Sequence, residues 1–486
     1  MNSLIMVDAP LWMIQPLVIV CSAAFVILIA DLLLPRSKKH WSSYLAMGGV
    51  AWAFAVALGQ WGEEQRGFAN MVVVDNLSTL FNLLFLASTF VTILLSDPFL
   101  RSEGVEQGEY YALILFCTSG MMLLASSLDL ITLFLGIEVL SISLYILAGY
   151  RRDSDASNEA AMKYFLLGAF ASAILLYGIA LTYGATGTTS LTRIADALTN
   201  ADALPAGLLL AGMAMILIGF AFKVALVPFH MWTPDVYEGA PTPITAFMSA
   251  GPKAAAFAAF LRTFFVAFGP IHSDWNMLLA GIAAITMTVG NIAAIAQTNV
   301  KRMLAYSSIA HSGYVLIGLV AGGNAGATGS IFYLIAYTAM NLGAFAVVVL
   351  IEHKQGGGVE LKDYAGIGFR YPLIGAALSL FMISLSGIPP TVGFVGKLYL
   401  FGAAVQTGHI WLAVIAVLNS AISVFYYLRL LVLMYMREPG EVLPPIRVPV
   451  AIGVALVACA LVTLGFGLFP GQWIEAARQS VRALLS

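Results

Sequence analysis

The sequence predicts an all-α polytopic membrane protein of about fourteen transmembrane helices, arranged as two inverted five-helix repeats with discontinuous helices seven and twelve. Three observations carry that prediction. Hydrophobic residues fill 60% of the 486 positions and charged residues only 10%, against about 25% charged in an ordinary soluble domain. Apolar runs long enough to span a bilayer, roughly 20 residues each, recur from end to end. Two of those runs are interrupted by proline and carry a lysine near the interruption.

The runs fall near 11–34, 43–61, 76–96, 110–128, 130–150, 162–184, 206–228, 243–267, 276–296, 303–322, 328–351, 372–404, 409–434 and 448–469. Long unbroken runs point to helices, which satisfy their own backbone hydrogen bonds in lipid, and not to barrel strands. No stretch reads as a separate domain. Residues 1–486 are therefore expected to form one integral membrane unit. Within it, helices one to three occupy 1–109, the first repeat 110–268, the second 276–436 and the last helix 447–486. The N-terminus lacks the basic start and cleavage site of a signal peptide, so the first span is expected to be retained.

Lysine and arginine are held back on the cytoplasmic side. Loops after odd-numbered spans are rich in them, with Arg36, Lys38, Lys39, Arg151, Arg152, Lys301, Arg302 and Lys354 among the set. Loops after even-numbered spans, with the C-terminus, hold Arg66, Arg193, Arg478 and Arg482. The imbalance predicts both termini outside and the 352–371 loop inside.

Composition also excludes function classes. A net charge of −2 gives no basic balance to suggest nucleic acid. Cys21, Cys117 and Cys459 lie far apart and cannot supply a four-thiolate cluster. They read as small packed residues. The GIGF stretch at 366–369 lacks the rest of a dinucleotide fingerprint. No redox centre, metal or nucleotide site is expected in this chain.

In the seventh run Pro228 follows Lys223, and its missing N–H frees the carbonyl of Val224. In the twelfth, Gly387, Pro389 and Pro390 free the carbonyls of Leu385 and Ser386, and Lys397 follows about two turns later. Freed backbone at membrane depth persists only where protein or water satisfies it. Broken helices at matching places in two halves point to an inverted repeat. A packing kink accounts for one such proline as well as a functional break does. It accounts poorly for two, each with a buried lysine.

Glu138, Lys223, Lys253 and Lys397 all sit deep inside apolar segments. Each costs roughly 2.5–3.5 kcal/mol at mid-bilayer on insertion scales. A structural ion pair, with Lys223 as the expected partner of Glu138, is the bland reading. A buried path for protons is the functional one. Lys253 follows Gly251 and Pro252, which are expected to loosen its helix. His230 and His311 are possible relay positions, or only hydrogen-bond a neighbour. His311 falls in a polar run from Tyr306-Ser307-Ser308 to Ser312.

Three segments carry a family resemblance: FKVALVPFHMWTPDVYEGAPTPITAFMSAGPKAA (222–255), QTNVKRMLAYSSIAHSGYVLIG (297–318) and SLSGIPPTVGFVGKLYLF (384–401). They closely resemble the antiporter-like subunit N family of respiratory complex I, the proton-translocating NADH–quinone oxidoreductase, and the likeness runs from about 70 to 435. The resemblance implies fourteen helices in two inverted repeats. It matches the family's fifth-helix acid to Glu138 and its lysines on helices seven, eight and twelve to Lys223, Lys253 and Lys397. The M-type sister carries an acid where Lys397 stands. The L-type sister adds a lateral helix, for which no residues remain after about 470.

The implied function is that of a non-redox, proton-translocating subunit driven by quinone reduction elsewhere in the complex. NADH, FMN, iron–sulfur clusters and quinone would then belong to partner subunits. The expected partners are the other membrane-arm subunits, antiporter-like sisters among them, together with lipid, in a bacterial inner membrane. A subunit of a multi-subunit sodium–proton antiporter, or of a related complex with another electron donor, is the alternative.

Overall fold

The computed structural model describes residues 10–35, 38–199, 205–355, 358–438 and 447–485. Arg36 and the side chain of Lys354, both used above for orientation, lie outside the described residues, as do the two chain ends.

Among the described residues thirteen helices are long and apolar enough to cross a membrane. The chain opens with α1 (Gln15–Leu33) and α2 (Trp41–Gly59), joined to α3 (Asn76–Glu103) by a small hairpin of β1 (Gln65–Gly67) and β2 (Val72–Val74). Next come α4 (Gly108–Ser126), α5 (Leu130–Ala148), α6 (Asp155–Thr186), a short α7 (Leu191–Thr199), α8 (Ala206–Lys223), α9 (Trp232–Gly239) and α10 (Thr242–Arg262). The second half holds α11 (His272–Ile295), α12 (Val300–Ala321), α13 (Gly323–Gln355), α14 (Ile367–Arg370), α15 (Pro372–Ser386), α16 (Val392–Gln406) and α17 (Ile410–Met436). The chain closes with α18 (Val450–Leu468) and α19 (Gly471–Leu485). At 15 residues each, α15 and α16 are about 22 Å long and fall short of the roughly 30 Å hydrocarbon core. Together they complete the fourteenth crossing.

The two repeats show in matched local details. Asp129 caps α5 by accepting the N–H groups of Ile131 and Thr132. Asn299 caps α12 by accepting those of Lys301 and Arg302. Each cap residue pairs with the strand-like segment after the next helix, Asp129 with Ser190 and Asn299 with Glu360. The flanking bonds correspond one for one. Leu130 donates to the Thr189 carbonyl and Leu191 to that of Leu128, both at 2.9 Å. Val300 donates to Val359 and Leu361 to Thr298, both at 2.7 Å. Helix packing repeats as well. A Cβ on Gly120 would lie 2.7 Å from the Leu140 nitrogen, and one on Gly290 would lie 2.7 Å from that of Ala310. All these pairs share one sequence separation. Helices α4 and α11 are five crossings apart, an odd number, so the repeats run in opposite directions.

The inner axis is formed by α10, buried at every residue, and by α13. Helices α1 and α18 turn residues such as Leu32 and Val450 outward. Both α7 and α19 were absent from the sequence expectation, because neither is an apolar run. The expected single helix over 447–486 is two helices. The second, α19, packs against α3 and α13, and Ser480 Oγ donates to the Asn76 carbonyl at 3.1 Å.

A buried ion pair fastens the end of α10. Arg262 Nη1 and Nη2 bond the two oxygens of Asp75 at 2.8 and 2.9 Å, and Nε donates to the Ala125 carbonyl at 3.1 Å. Asp75 is also the N-cap of α3, in a capping box with Ser78. The ion pair thus joins α3, α4 and α10. Removing one partner of such a pair costs about 3–5 kcal/mol, because the other charge stays buried. Asp75→Ala should therefore lower the thermal midpoint of the purified protein strongly. An unchanged midpoint would show that the pair holds nothing together.

Candidate proton path

The first helix break opens at Lys223, the last residue of α8. Ala225 takes the left-handed conformation, φ 59°, and turns the chain before Pro228 is reached. The helix therefore stops earlier than the missing proline N–H alone requires, and the expected orphan at Val224 is not where the break is patched. Phe222's carbonyl is instead taken up by Trp232 Nε1 at 3.0 Å. Val227 N–H donates to Thr286 Oγ1 on α11 at 3.1 Å.

Lys223 Nζ donates to Ser141 Oγ at 2.6 Å and reaches Tyr145 Oη at 3.5 Å. No carboxylate lies within 4.0 Å of it among the described residues. The direct Glu138–Lys223 pair expected from the sequence is not formed. Glu138 lies one turn from Ser141 on the same face of α5, at the border of an outward face that shows Leu135, Val139 and Ile142. Its Oε1 is buried without a hydrogen-bond partner. A hydroxyl therefore stands where the pair was expected.

Lys253 lies in α10, which continues through Pro252 without the expected loosening. Its Nζ donates to the Ser308 carbonyl at 2.9 Å and to the Ser308 hydroxyl. Ser308 on α12 is the repeat counterpart of Glu138 on α5, by the sequence separation that relates the caps and glycines. The second repeat thus offers a hydroxyl and a carbonyl where the first offers a carboxylate.

Three residues along α12, His311 has both ring nitrogens engaged. Nδ1 meets Tyr333 Oη at 2.6 Å and Nε2 meets Tyr427 Oη at 3.0 Å. Tyr427 also bonds Ser307. Beside it, Tyr426 Oη donates to Asn291 Oδ1 at 3.0 Å, and Asn291 Nδ2 reaches Tyr314 Oη and Asn419 Oδ1 at 3.4 and 3.2 Å.

The second break places Lys397 on α16 with its side chain turned back to the end of α15. Nζ donates to the carbonyls of Leu385 and Ser386, both at 3.0 Å, and to Ser420 Oγ at 2.9 Å. These are the two carbonyls that the sequence left unsatisfied. The same Nζ stands 5.0 Å from the centre of the Tyr314 ring. Lys397 is therefore a cap as well as a charge.

A family model described as NADH:quinone oxidoreductase/Mrp antiporter, transmembrane, matches residues 127–423. That range runs from the cap of α5 into α17 and contains all four charged positions. NADH-quinone oxidoreductase subunit N of Trichlorobacter lovleyi is 49% identical, over 97% of this chain and 97% of its own length. The chain belongs to the subunit N family of NADH–quinone oxidoreductase. The subunit N of Chloroflexus aggregans is 46% identical over 100% of both chains. Among solved structures, a chain of respiratory complex I from Thermus thermophilus, with bound aureothin, is 37% identical with a TM-score of 0.81, covering 96% of this chain and 99% of that one. A chain of the archaeal membrane-bound sulfane sulfur reductase is 25% identical with a TM-score of 0.85, covering 98% of each.

In this subunit N family member, the structure draws the charged positions into two groups. Glu138, Ser141, Tyr145 and Lys223 form the first. Lys253, Ser308, His311, Tyr427, Tyr314 and Lys397 line the second. His230 lies apart, half-buried in the first break, with Nδ1 buried and unpartnered. Sequence reading missed Ser141, Tyr145, Asn291, Asn419, Ser420 and Thr286. Ser141 had a usable signal, since it falls three residues after Glu138 and so on the same helix face. The lone amides and hydroxyls had none.

Helix α9, the second limb of the first break, is held at its end by charges. Asp235 accepts from Lys163 on α6 at 2.6 Å and from Arg302 on α12 at 2.7 Å. Arg302 also meets Glu238 at 2.7 Å. Burial pushes the Asp235 carboxyl up, but Lys163 and Arg302 more than reverse this and leave it below its ordinary value. A depressed carboxyl adds stability above its unfolded value, about 3.9, and loses it as pH falls through the lower folded value. Partly exposed pairs of this kind contribute about 0.2–1 kcal/mol each. Asp235→Asn should therefore lower the thermal midpoint modestly at pH 7 and make no difference once the carboxyl is protonated. A pH-independent effect would assign the loss to packing.

Proposed function

We propose that this chain is the non-redox, proton-translocating subunit N of a bacterial NADH–quinone oxidoreductase. Protons move along a buried path of Glu138, Lys223, Lys253, His311 and Lys397. One observation carries the reading. Each of the three deep lysines donates to hydroxyl or carbonyl oxygens, and none has a carboxylate within 4.0 Å among the described residues. Arg262, which fastens α10, holds a carboxylate counter-ion instead. An ammonium satisfied only by neutral oxygens is free to give up its proton without leaving a partner charge stranded.

NADH, FMN, iron–sulfur clusters and quinone belong in this reading to partner subunits, with antiporter-like sisters and lipid against this chain's outward faces. Both termini, α7 and α19 face the outside of the bacterial inner membrane, and α9 faces the cytoplasm. Quinone reduction elsewhere reaches the path as a conformational or electrostatic change. Glu138 acts on Lys223 through the Ser141 side of α5. Protons enter from the cytoplasm past Lys253 and leave by Lys397. Each charge moved against 100 mV costs about 2.3 kcal/mol. The chain of the sulfane sulfur reductase shares the fold at lower identity, so it is the 49% and 46% identical subunits N that favour this electron donor and acceptor.

Lys223→Ala should leave the complex assembled and abolish or strongly reduce quinone-coupled pumping in inverted vesicles. Pumping at the unaltered rate would refute the role. Lys397→Arg keeps the charge, but guanidinium holds its proton, with a pKa above about 12. That variant should assemble and pump poorly. Full pumping with arginine would make Lys397 a helix cap and nothing more.

A further inference from the structure

Between α8 and α9 the backbone of the first break is bonded to the second repeat through one hydroxyl among the described residues, apart from the charges that hold α9 to Arg302. At membrane depth every amide of the break needs a partner. Val224, Ala225 and Leu226 donate back to the carbonyls of Phe220, Phe222 and Ala221 in α8. Pro228 has no N–H. Val227 is the amide that leaves its own segment, and it bonds Thr286 Oγ1 at 3.1 Å. Thr286 is fully buried. At the second break, Gly387, Ile388 and Thr391 all donate within their own segment, and Gly393 donates to Ser384 Oγ. Lys397 and Ser420, of the same repeat, complete it.

The hydroxyl is not a leftover of the duplication. The repeat counterpart of Thr286, by the separation that relates Gly120 to Gly290, is Phe116, which has no acceptor. Helix α11 is in turn locked to α12. Gly290 lies against the backbone of Ala310, and a Cβ on Gly313 would lie 2.9 Å from the nitrogen of Met287, the residue next to Thr286. Helix α12 carries Ser308, which holds Lys253, and His311. A contiguous line therefore runs from the Lys223 break through Thr286 and the α11–α12 pair to Lys253.

We infer that Thr286 is a positioning residue for proton transfer, its hydroxyl tying the Lys223-bearing break to the α11–α12 pair so that the Lys223 and Lys253 sites shift together. The inference rests on the reading of those lysines as proton carriers. Coupling of this kind needs an element with two arrangements that both sites bias, and the break is that element.

The test uses the assembled complex in inverted vesicles, with Thr286→Val, Thr286→Ser and Lys223→Ala. Valine keeps the shape and removes the acceptor. It should give the unaltered amount of complex, a displaced pH profile and pumping lowered roughly fivefold, the order expected from losing one buried hydrogen bond. Serine should restore both rate and profile. The inference fails if valine pumps normally with an unchanged profile, if serine fares no better than valine, or if valine blocks assembly, which would make the tie structural. Normal pumping by Lys223→Ala would defeat the proton reading itself. Loss of pumping there with a normal Thr286→Val would defeat only the positioning role.

Discussion

Backbone polar groups freed inside a membrane must be satisfied by something other than water from bulk, and that requirement organises this chain. Two helices are broken at depth. Each break exposes carbonyls or amides that lipid cannot serve. The side chains that answer are Trp232, Thr286, Lys397 and Ser420, drawn from neighbouring helices or from the far limb of the broken helix. The polar interior follows from that need, and the buried lysines stand within it.

The two repeats meet the requirement differently. In the first, the lysine ends the helix and points away from the break to a serine and a tyrosine, while tryptophan and threonine patch the backbone. In the second, the lysine itself patches the backbone. Loss of a proton from Lys223 leaves its break's backbone bonds in place. Loss of a proton from Lys397 weakens the cap on α15. The inverted repeat thus supplies two copies of one scaffold with unequal consequences for charge.

Much of this was legible in the sequence because the relevant residues violate their surroundings. Glu138, Lys223, Lys253 and Lys397 stand out as charges in apolar runs, and Pro389 and Pro390 announce freed carbonyls that the structure shows on Lys397. What stayed hidden was set by tertiary contact. The Glu138–Lys223 pair was expected from two charges deep in apolar runs, but helix packing sets the lysine against Ser141, one turn further along the same helix. The first break was read from Pro228, while the turn at Ala225 had opened it already. Asn291, Asn419 and Thr286 look like ordinary polar residues of membrane helices until their partners are seen, on α11, α12 and α17 for the two asparagines and in the first break for Thr286. Helices α7 and α19 escaped because amphipathic segments give no hydropathy signal.

Under the proposed proton path, the two breaks change arrangement during turnover while α10 and α13 keep theirs. Amide hydrogen exchange on the assembled complex tests it most directly, comparing resting enzyme with enzyme in turnover. The account predicts that peptides covering 224–231 and 387–391 exchange faster in turnover, and that α10 and α13 remain equally protected in both states. Equal protection of the breaks at rest and in turnover would contradict it.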